Sequence, residues 1–496
     1  MKTVCGIDFG TQSAKVVVYD YEGRKVEGEA QVPIEMIAGN DGTREQKAQW
    51  YDEALDAAFA GLDAGLKQTV RAVGVSGHQH SLVPLDAEGK AVYRVKLWCD
   101  TSTEAECREL TEAAGGETRI IAEAGLPMRP GYTAPKVQWL KNHEPDAFAR
   151  LAHILLSHDY INYLLTGNYT AEAGDASGTA LFDVRGRVWS SKIAALIDDK
   201  VARCLPRLLG DGEPAGKVSA AAAKRYGIPE GAVVSQGGGD NMMSAIGTGT
   251  VSDGFLTMSL GTSGTLFGFS AKPVIDPKGD LAAFCSSSGG WLPLLCTMNC
   301  TVATEEFRAL FGLDVRAFDA EGAKAPIGAD GVVILPFFNG ERTPNLPHGR
   351  ASVNGLTAAN FKRENIARAA LESAIFGMRI GLQGFAGLGF KAKEIRIAGG
   401  GAKSKIWQSI AANVTGLPVR VPRTGEAAAM GGALQALWCA ERSSGNTAAS
   451  IESIVAEHVA LDDGATVMPG EASIRAYDAA YVVYTKYLDA LSPLYR

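Results

Sequence analysis

"CGIDFGTQSAKVVVYDYEGR" (residues 5–24) carries an apolar run into an aspartate, turns through Gly-Thr-Gln-Ser, and leaves along a second apolar run. The pattern reads as two strands around a tight bend. Gly10 lets the backbone turn sharply. Thr11, Gln12 and Ser13 can then present N–H and hydroxyl donors outward, and consecutive N–H groups in a turn form an anion-binding concavity. Asp8, at the end of the first strand, suits a hydrated magnesium ion, which takes one or two carboxylates plus water and phosphate oxygens. The alternative is a hairpin turn with no further role.

The same design recurs. "GFLTMSLGTSGTLFGFS" (254–270) is again strand, Gly-Thr-Ser bend and strand, with Gly261, Thr262, Ser263 and Gly264 at the tip. Two such bends facing each other across a cleft would hold a triphosphate tail from both sides. The segments around each bend are also alike. "KTVCGIDFG", "AKVVVYDYEG" and "GRKVEGEAQV" predict an antiparallel meander, "WYDEALDAAFAGLDAGLKQ" (50–68) has helical spacing, and "VRAVGVSG" (70–77) is a short buried strand. Later, "ENIARAALESAIFGMRIGLQGF" (364–385) predicts a long helix and "EIRIAGGG" (394–401) a strand running into a glycine turn. "SIRAYDAAYVVYTKYLDAL" (473–491) predicts a closing amphipathic helix. The chain is thus expected to hold two similar halves divided near "AIGTGTVSDG" (245–254), as domains 1–248 and 249–496.

Composition agrees with such a chain. At 496 residues it exceeds what one core usually supports, and 46% apolar with 21% charged residues is ordinary for a globular protein. A net charge of −7 argues against a nucleic-acid surface, which would carry a basic excess. It leaves room for a small anion held by backbone N–H groups. The apolar run in "MKTVCGIDFG" is too short for a secretion signal, and no stretch reaches the length of a membrane span. The eight cysteines are scattered, and Cys296 and Cys300 in "CTMNC" have no second pair or histidine to complete a zinc site. Reduced core thiols and a cytoplasmic location are the expectation. A homodimer stays open, because an interface of that kind leaves no mark in one sequence.

Two further glycine clusters carry candidate chemistry. In "GGGDNMMSAIG" (237–247), three glycines follow the strand "AVVSQ", and Asp240 and Asn241 then open a helix. Serial glycines indicate close backbone approach. A carboxylate projecting from such a helix start can accept a hydroxyl proton during phosphoryl transfer. It can equally be an N-cap for its own helix. In "IAGGGAKSKIWQSIAANVTG" (397–416), bare backbone at Gly399–Gly401 could receive a flat base or ribose, or could be a plain strand-to-helix turn. Other chemistries lack their motifs. "DFG" has no Gly-rich loop, "VAIK" or "HRD" with it, and no Walker loop, G-x-S-x-G elbow or G-x-G-x-x-G after a strand is present.

Taken in order, these pieces resemble the FGGY family of sugar kinases, and within it the enzymes acting on D-xylulose. "GIDFGTQSAKV" and "SLGTSGT" look like the family's two phosphate motifs, and "GGGDN" resembles its catalytic segment. "GYTAPKVQWLKNH" (131–143) and "ASVNGLTAANFKRENIARAALE" (351–372) are similar to its signature segments, and "LPFFNGERTP" (335–344) is similar to a run of its pentulose kinases. The likeness covers nearly the whole chain.

The resemblance implies an α/β fold of two actin-like, ribonuclease-H-type ATPase domains flanking a catalytic cleft, with sugar mostly on the first domain and ATP and Mg2+ mostly on the second. It implies that Asp240 is the base taking the proton from the 5-hydroxyl of D-xylulose, with Asp8 and Asp240 holding magnesium. Thr11, Gln12, Ser13, Gly261 and Thr262 would meet the phosphates, and Gly400, Gly401 and Ser404 the adenosine. In "GVSGHQHSLVPLD" (74–86) His80 matches the family histidine, while Gln79 stands where methionine is usual. The Arg-Glu pair of glycerol kinases is missing there, and a neutral histidine beside an amide suits an uncharged polyol. The sugar contacts are then Gln79, His80, Trp98, Asp240 and Asn241. Trp98 comes from "KLWCDTST", and the Asp175-Ser177-Gly178 turn could edge the pocket. The rivals are a kinase of the same fold for ribulose, ribitol or a hexonate, a silent sugar-sensing protein, and a polymerising actin-like protein.

Overall fold

The computed structural model describes residues 2–495. Its two compact units are not unbroken stretches. One comprises Met1–Val251, Phe269–Leu292 and Glu426–Val459; the other comprises Ser252–Gly268, Pro293–Gly425 and Ala460–Arg496.

The first unit is built on a mixed sheet. Strands β1 (Thr3–Phe9), β2 (Ser13–Asp20) and β3 (Lys25–Pro33) form the expected antiparallel meander. Strand β4 (Val70–Gly77) lies parallel to β1 on its other side. Beyond it come β6 (Val233–Val234) and β5 (Gly216–Lys217), and β7 (Gly238–Gly239) also pairs with β4. Strand β1 is apolar on both faces because both are covered. On one side, helix α1 (Ala48–Ala60) buries Tyr51, Leu55 and Phe59 against Ile7, Phe9, Val16 and Val75. Helices α2 (Thr133–His143) and α3 (Ser157–Thr166) belong to this unit as well. On the other side, α4 (Asp240–Thr248) and α7 (Ala427–Ser443) enclose Val4, Tyr19, Met243, Ile246, Met430 and Leu434. Helix α7 comes late in the chain yet closes the first sheet, and glycine makes this feasible. A Cβ on Gly6 would stand 1.9 Å from the Ala429 carbonyl oxygen, and one on Gly74 would stand 2.0 Å from that of Gly432.

The second unit repeats the plan. Strands β8 (Phe255–Leu260) and β9 (Gly264–Gly268) form the hairpin, and β10 (Trp291–Thr297) extends it. Strand β11 (Glu394–Ala398) runs parallel to β8, β12 (Val419–Pro422) runs parallel to β11, and β13 (Leu461–Val467) ends the order. The sequence β10-β9-β8-β11-β12 reproduces β3-β2-β1-β4-β6 in pairing direction at every step. The repeat expected from two Gly-Thr bends is therefore present as topology. Around this sheet, α5 (Arg363–Gly387), α6 (Lys405–Thr415) and α8 (Glu471–Leu491) are the long helices, with Phe376 of α5 packed on Tyr477, Tyr481 and Tyr484 of α8. Among the described residues no helix is long and apolar enough to cross a membrane.

Candidate active site

Strands β1, β4 and β7 run parallel and end level, with Phe9 and Gly239 both opposite Gly77. The carboxyl ends of parallel strands are where α/β sheets expose their loops to ligands. Asp8 sits one residue before the end of β1 and accepts a 2.8 Å hydrogen bond from Ser76 Oγ of β4. Asp240 follows β7 directly and is the first residue of α4. It does not cap that helix through later N–H groups; its Oδ1 accepts from the Asn241 backbone (2.7 Å) and from Asn241 Nδ2 (3.0 Å). Both carboxylates are partly exposed.

Burial pushes the Asp240 carboxyl up to about 7; nearby Asp8 and Asp175 add to this and the Asn241 donors oppose it. Burial likewise lifts Asp8 to about 6, opposed by Ser76 and Lys15 and reinforced by Glu426. Lys15 is itself paired to Glu426 at 2.8 Å. An acid with a pKa near neutrality is suited to general-base work. Asp8 is near enough to raise the Asp240 pKa, and carboxylate oxygens are the donors a hard divalent cation takes.

The raised pKa has a stability consequence in the free protein. Asp240 binds its proton more tightly folded, at about 7, than at its ordinary 3.8. Its ionisation therefore opposes folding, not at all below the lower value and in full above the higher one. Asp240→Asn is expected to raise the urea midpoint at pH 8, the gain shrinking through pH 7 and vanishing near pH 4. An equal gain at all pH values would show that the effect is not this charge.

Gln79 and His80 follow β4. Gln79 rests on Gly239, where a Cβ would stand 2.6 Å from its Cγ. Its Oε1 accepts from Asn241 Nδ2 (2.7 Å), and its Nε2 donates to Met242 Sδ (3.0 Å). A methionine at this position would accept only weakly from Asn241 and could donate nothing to Met242, so the amide ties the loop after β4 to the start of α4. His80 has its carbonyl held by Thr133 Oγ1 (2.9 Å) and Lys136 Nζ (2.8 Å), and its ring lies 5.3 Å from Tyr132 and 5.1 Å from Phe284. Trp98 Nε1 donates to Thr11 Oγ1 at 2.9 Å, so the structure brings these two predicted residues together. Gln12 and Ser13 complete that bend: Gly10 N–H donates to the Ser13 carbonyl, and the Gln12 side chain is exposed.

Two buried residues escaped the reading of the sequence. His78 lies among Tyr51, Ser81 and Ser157, and burial pushes it down to about 3, so it is a neutral core histidine. Lys136 donates to the carbonyls of His80 and Gly131, and burial brings it down to about 7 against the pull of Asp100. The only signal for Lys136 was its place in "GYTAPK".

In the second unit, Gly261, Thr262 and Ser263 form the β8–β9 bend, tied down by Cys300 and Thr301 N–H donors to the Thr262 and Gly261 carbonyls. The Thr262 side chain is exposed. The Gly399–Gly401 turn adjoins this bend: a Cβ on Gly399 would stand 2.8 Å from the Leu260 carbonyl oxygen, and one on Gly401 would stand 2.7 Å from Leu260 Cβ. Gly400 is exposed with open space where a side chain would be. Ser404 caps α6 by accepting from the Trp407 N–H at 3.3 Å.

Residues 3–247 match the N-terminal domain of the FGGY family of carbohydrate kinases, and residues 256–440 match its C-terminal domain. The chain belongs to the FGGY family of carbohydrate kinases. This kinase is 42% identical over 502 residues to the xylulose kinase of Haemophilus influenzae, an alignment covering 99% of each chain. It is 35% identical to the xylulose kinase of Streptomyces coelicolor, with 87% of each covered. Among solved structures, a xylulose kinase from Brucella ovis superposes with a TM-score of 0.91 at 30% identity, covering 99% of this chain and 100% of that one. The fold is the two-domain α/β fold of these kinases, and the enzyme is an ATP-dependent phosphotransferase acting on a sugar hydroxyl.

Proposed function

We propose that the kinase transfers the γ-phosphoryl group of ATP to the 5-hydroxyl of D-xylulose, giving D-xylulose 5-phosphate and ADP, with Asp240 as general base. The observation that carries the substrate is likeness along the full length to a xylulose kinase. It is supported by Gln79 and His80 standing where an Arg-Glu pair would suit glycerol. Gln79, His80, Trp98 and Asn241 are the proposed sugar contacts. Thr11, Gln12, Ser13, Gly261 and Thr262 are the proposed phosphate contacts, and Gly400, Gly401 and Ser404 the adenosine contacts. Asp8 and Asp240 would hold Mg2+, which when bound supplies charge neutralisation at the phosphates.

In this reading Asp240 accepts the proton as the sugar oxygen attacks phosphorus, and Asn241 holds the carboxylate in place through the bonds described above. The first domain (1–248) is read as the sugar and base domain, the second (249–496) as the nucleotide domain. A screen of free sugars for ADP release tests the assignment. D-xylulose is expected to give the highest kcat/KM; a hexonate, ribitol or ribulose as best substrate would overturn the pentulose assignment, and sugar-independent turnover would overturn the kinase role of the site.

A further inference from the structure

His80 adopts a φ of +60°, a region that residues other than glycine rarely occupy. Such a conformation persists only where its surroundings over-determine it. Here the carbonyl is held by Thr133 and Lys136, and the N–H donates to Asp175 Oδ1 at 3.1 Å. The same Oδ1 lies 3.1 Å from the ring Nδ1 of His80. The ring is seated on bare backbone: a Cβ on Gly178 would stand 1.9 Å from His80 Cε1.

Asp175 is itself fully buried, and its backbone N–H and that of Gly174 donate to Glu172. Its second oxygen lies 3.3 Å from His158 Nδ1, and His158 Nε2 lies 2.9 Å from Asp159 Oδ1. A buried carboxylate of this kind needs a buried counter-charge. Burial pushes Asp175 up, but His158 and His80 outweigh it and hold the acid below the usual carboxylate range. Burial pushes His158 down, but Asp159 and Asp175 outweigh that and hold it well above the usual histidine range.

We infer that Asp175 is a positioning residue for the sugar: it holds the backbone N–H of His80, accepts its Nδ1–H, and so fixes the tautomer and ring plane in which Nε2 is the acceptor. His158 serves as the buried cation that keeps Asp175 ionised. An imidazole whose Nδ1 proton is fixed by a carboxylate has its other nitrogen defined as an acceptor. The inference rests on the reading of His80 as a sugar contact.

Asp175→Asn is expected to raise the sugar KM about tenfold or more, the usual range for partners that orient a binding group, with the ATP KM within about twofold. Because Asp175 acts through His80, the Asp175→Asn/His80→Ala double variant should lose no more than His80→Ala alone. Additive losses would overturn the inference while leaving His80 in the sugar site. A wild-type sugar KM in His80→Ala would instead overturn the reading beneath it. His158→Lys should recover most of the sugar affinity that His158→Gln loses, and equal losses would remove the counter-ion role. The wild-type enzyme gives a test that needs no variant to fold: with only seven histidines in the chain, ¹⁵N-histidine labelling resolves the His80 ring. A protonated Nδ1 there supports the assignment, and an unprotonated one overturns it.

Discussion

Asp240→Ala is expected to keep the fold and lose turnover by about 10²-fold or more, the range for a general base. The fold should survive because this carboxylate supports nothing beyond its neighbour: its hydrogen bonds go to Asn241, and α4 is held by the apolar side chains of Met243 and Ile246 on its far face. Removing the charge also relieves the cost of burying it and its repulsion by Asp8 and Asp175. Stability at neutral pH should therefore rise slightly as activity collapses. That opposite movement separates a catalytic loss from unfolding. A base acts in the transition state, so kcat and kcat/KM should fall together, with the sugar KM moving little. Initial rates of ADP release, with circular dichroism on the same sample, make the measurement. Near-wild-type kcat in a folded sample would take Asp240 out of the mechanism.

Much of this site was legible in the sequence because its parts are local. Asp8 and the Thr11–Ser13 bend lie within one hairpin, and Gly261 and Thr262 lie within another, so a strand period broken by Gly-Thr was enough to single them out. The meander and the long helix at 363–387 were legible for the same reason. The predicted helix over 50–68 was only partly right: α1 stops at Ala60 and a short helix, Ala64–Lys67, follows Asp63, which accepts from the Leu66 N–H. Gly61 and Asp63 are a stop and a start signal that unbroken apolar spacing had masked. What could not be read were contacts across long stretches of chain. The carbonyl of His80 meets Lys136, and its N–H meets Asp175, across separations of 56 and 95 residues. No period or motif encodes which distant carboxylate a histidine will face. Nor does the sequence show that Glu426–Val459 belongs with the first sheet, since that follows from backbone contacts at glycine.

Those contacts give the second large effect. Gly431→Ala, nearly 200 residues from the proposed base in sequence, is expected to destabilise the first unit and impair turnover as well. On helix propensity alone the change should help, since alanine is favoured over glycine in a helix interior by about 1 kcal/mol. Packing decides the sign. A Cβ at Gly431 would stand 1.8 Å from the Met243 carbonyl oxygen and 2.6 Å from its carbon. In return, a Cβ at Gly247 would stand 1.9 Å from the Ala427 carbonyl oxygen. These are backbone atoms, so no side chain can rotate away, and α7 and α4 must separate. Overpacking that forces backbone to move costs about 1–3 kcal/mol or more, which exceeds the propensity gain. The helix displaced is the one whose first residue is Asp240. Because a shift of about 1 Å in a reacting group can cost about 10²-fold in rate, kcat should fall by at least about tenfold in the folded fraction. A lower urea midpoint together with a lower kcat in folded protein is the expected pair. A midpoint raised by the propensity gain, with kcat intact, would mean that the two helices are not in glycine-mediated contact in solution.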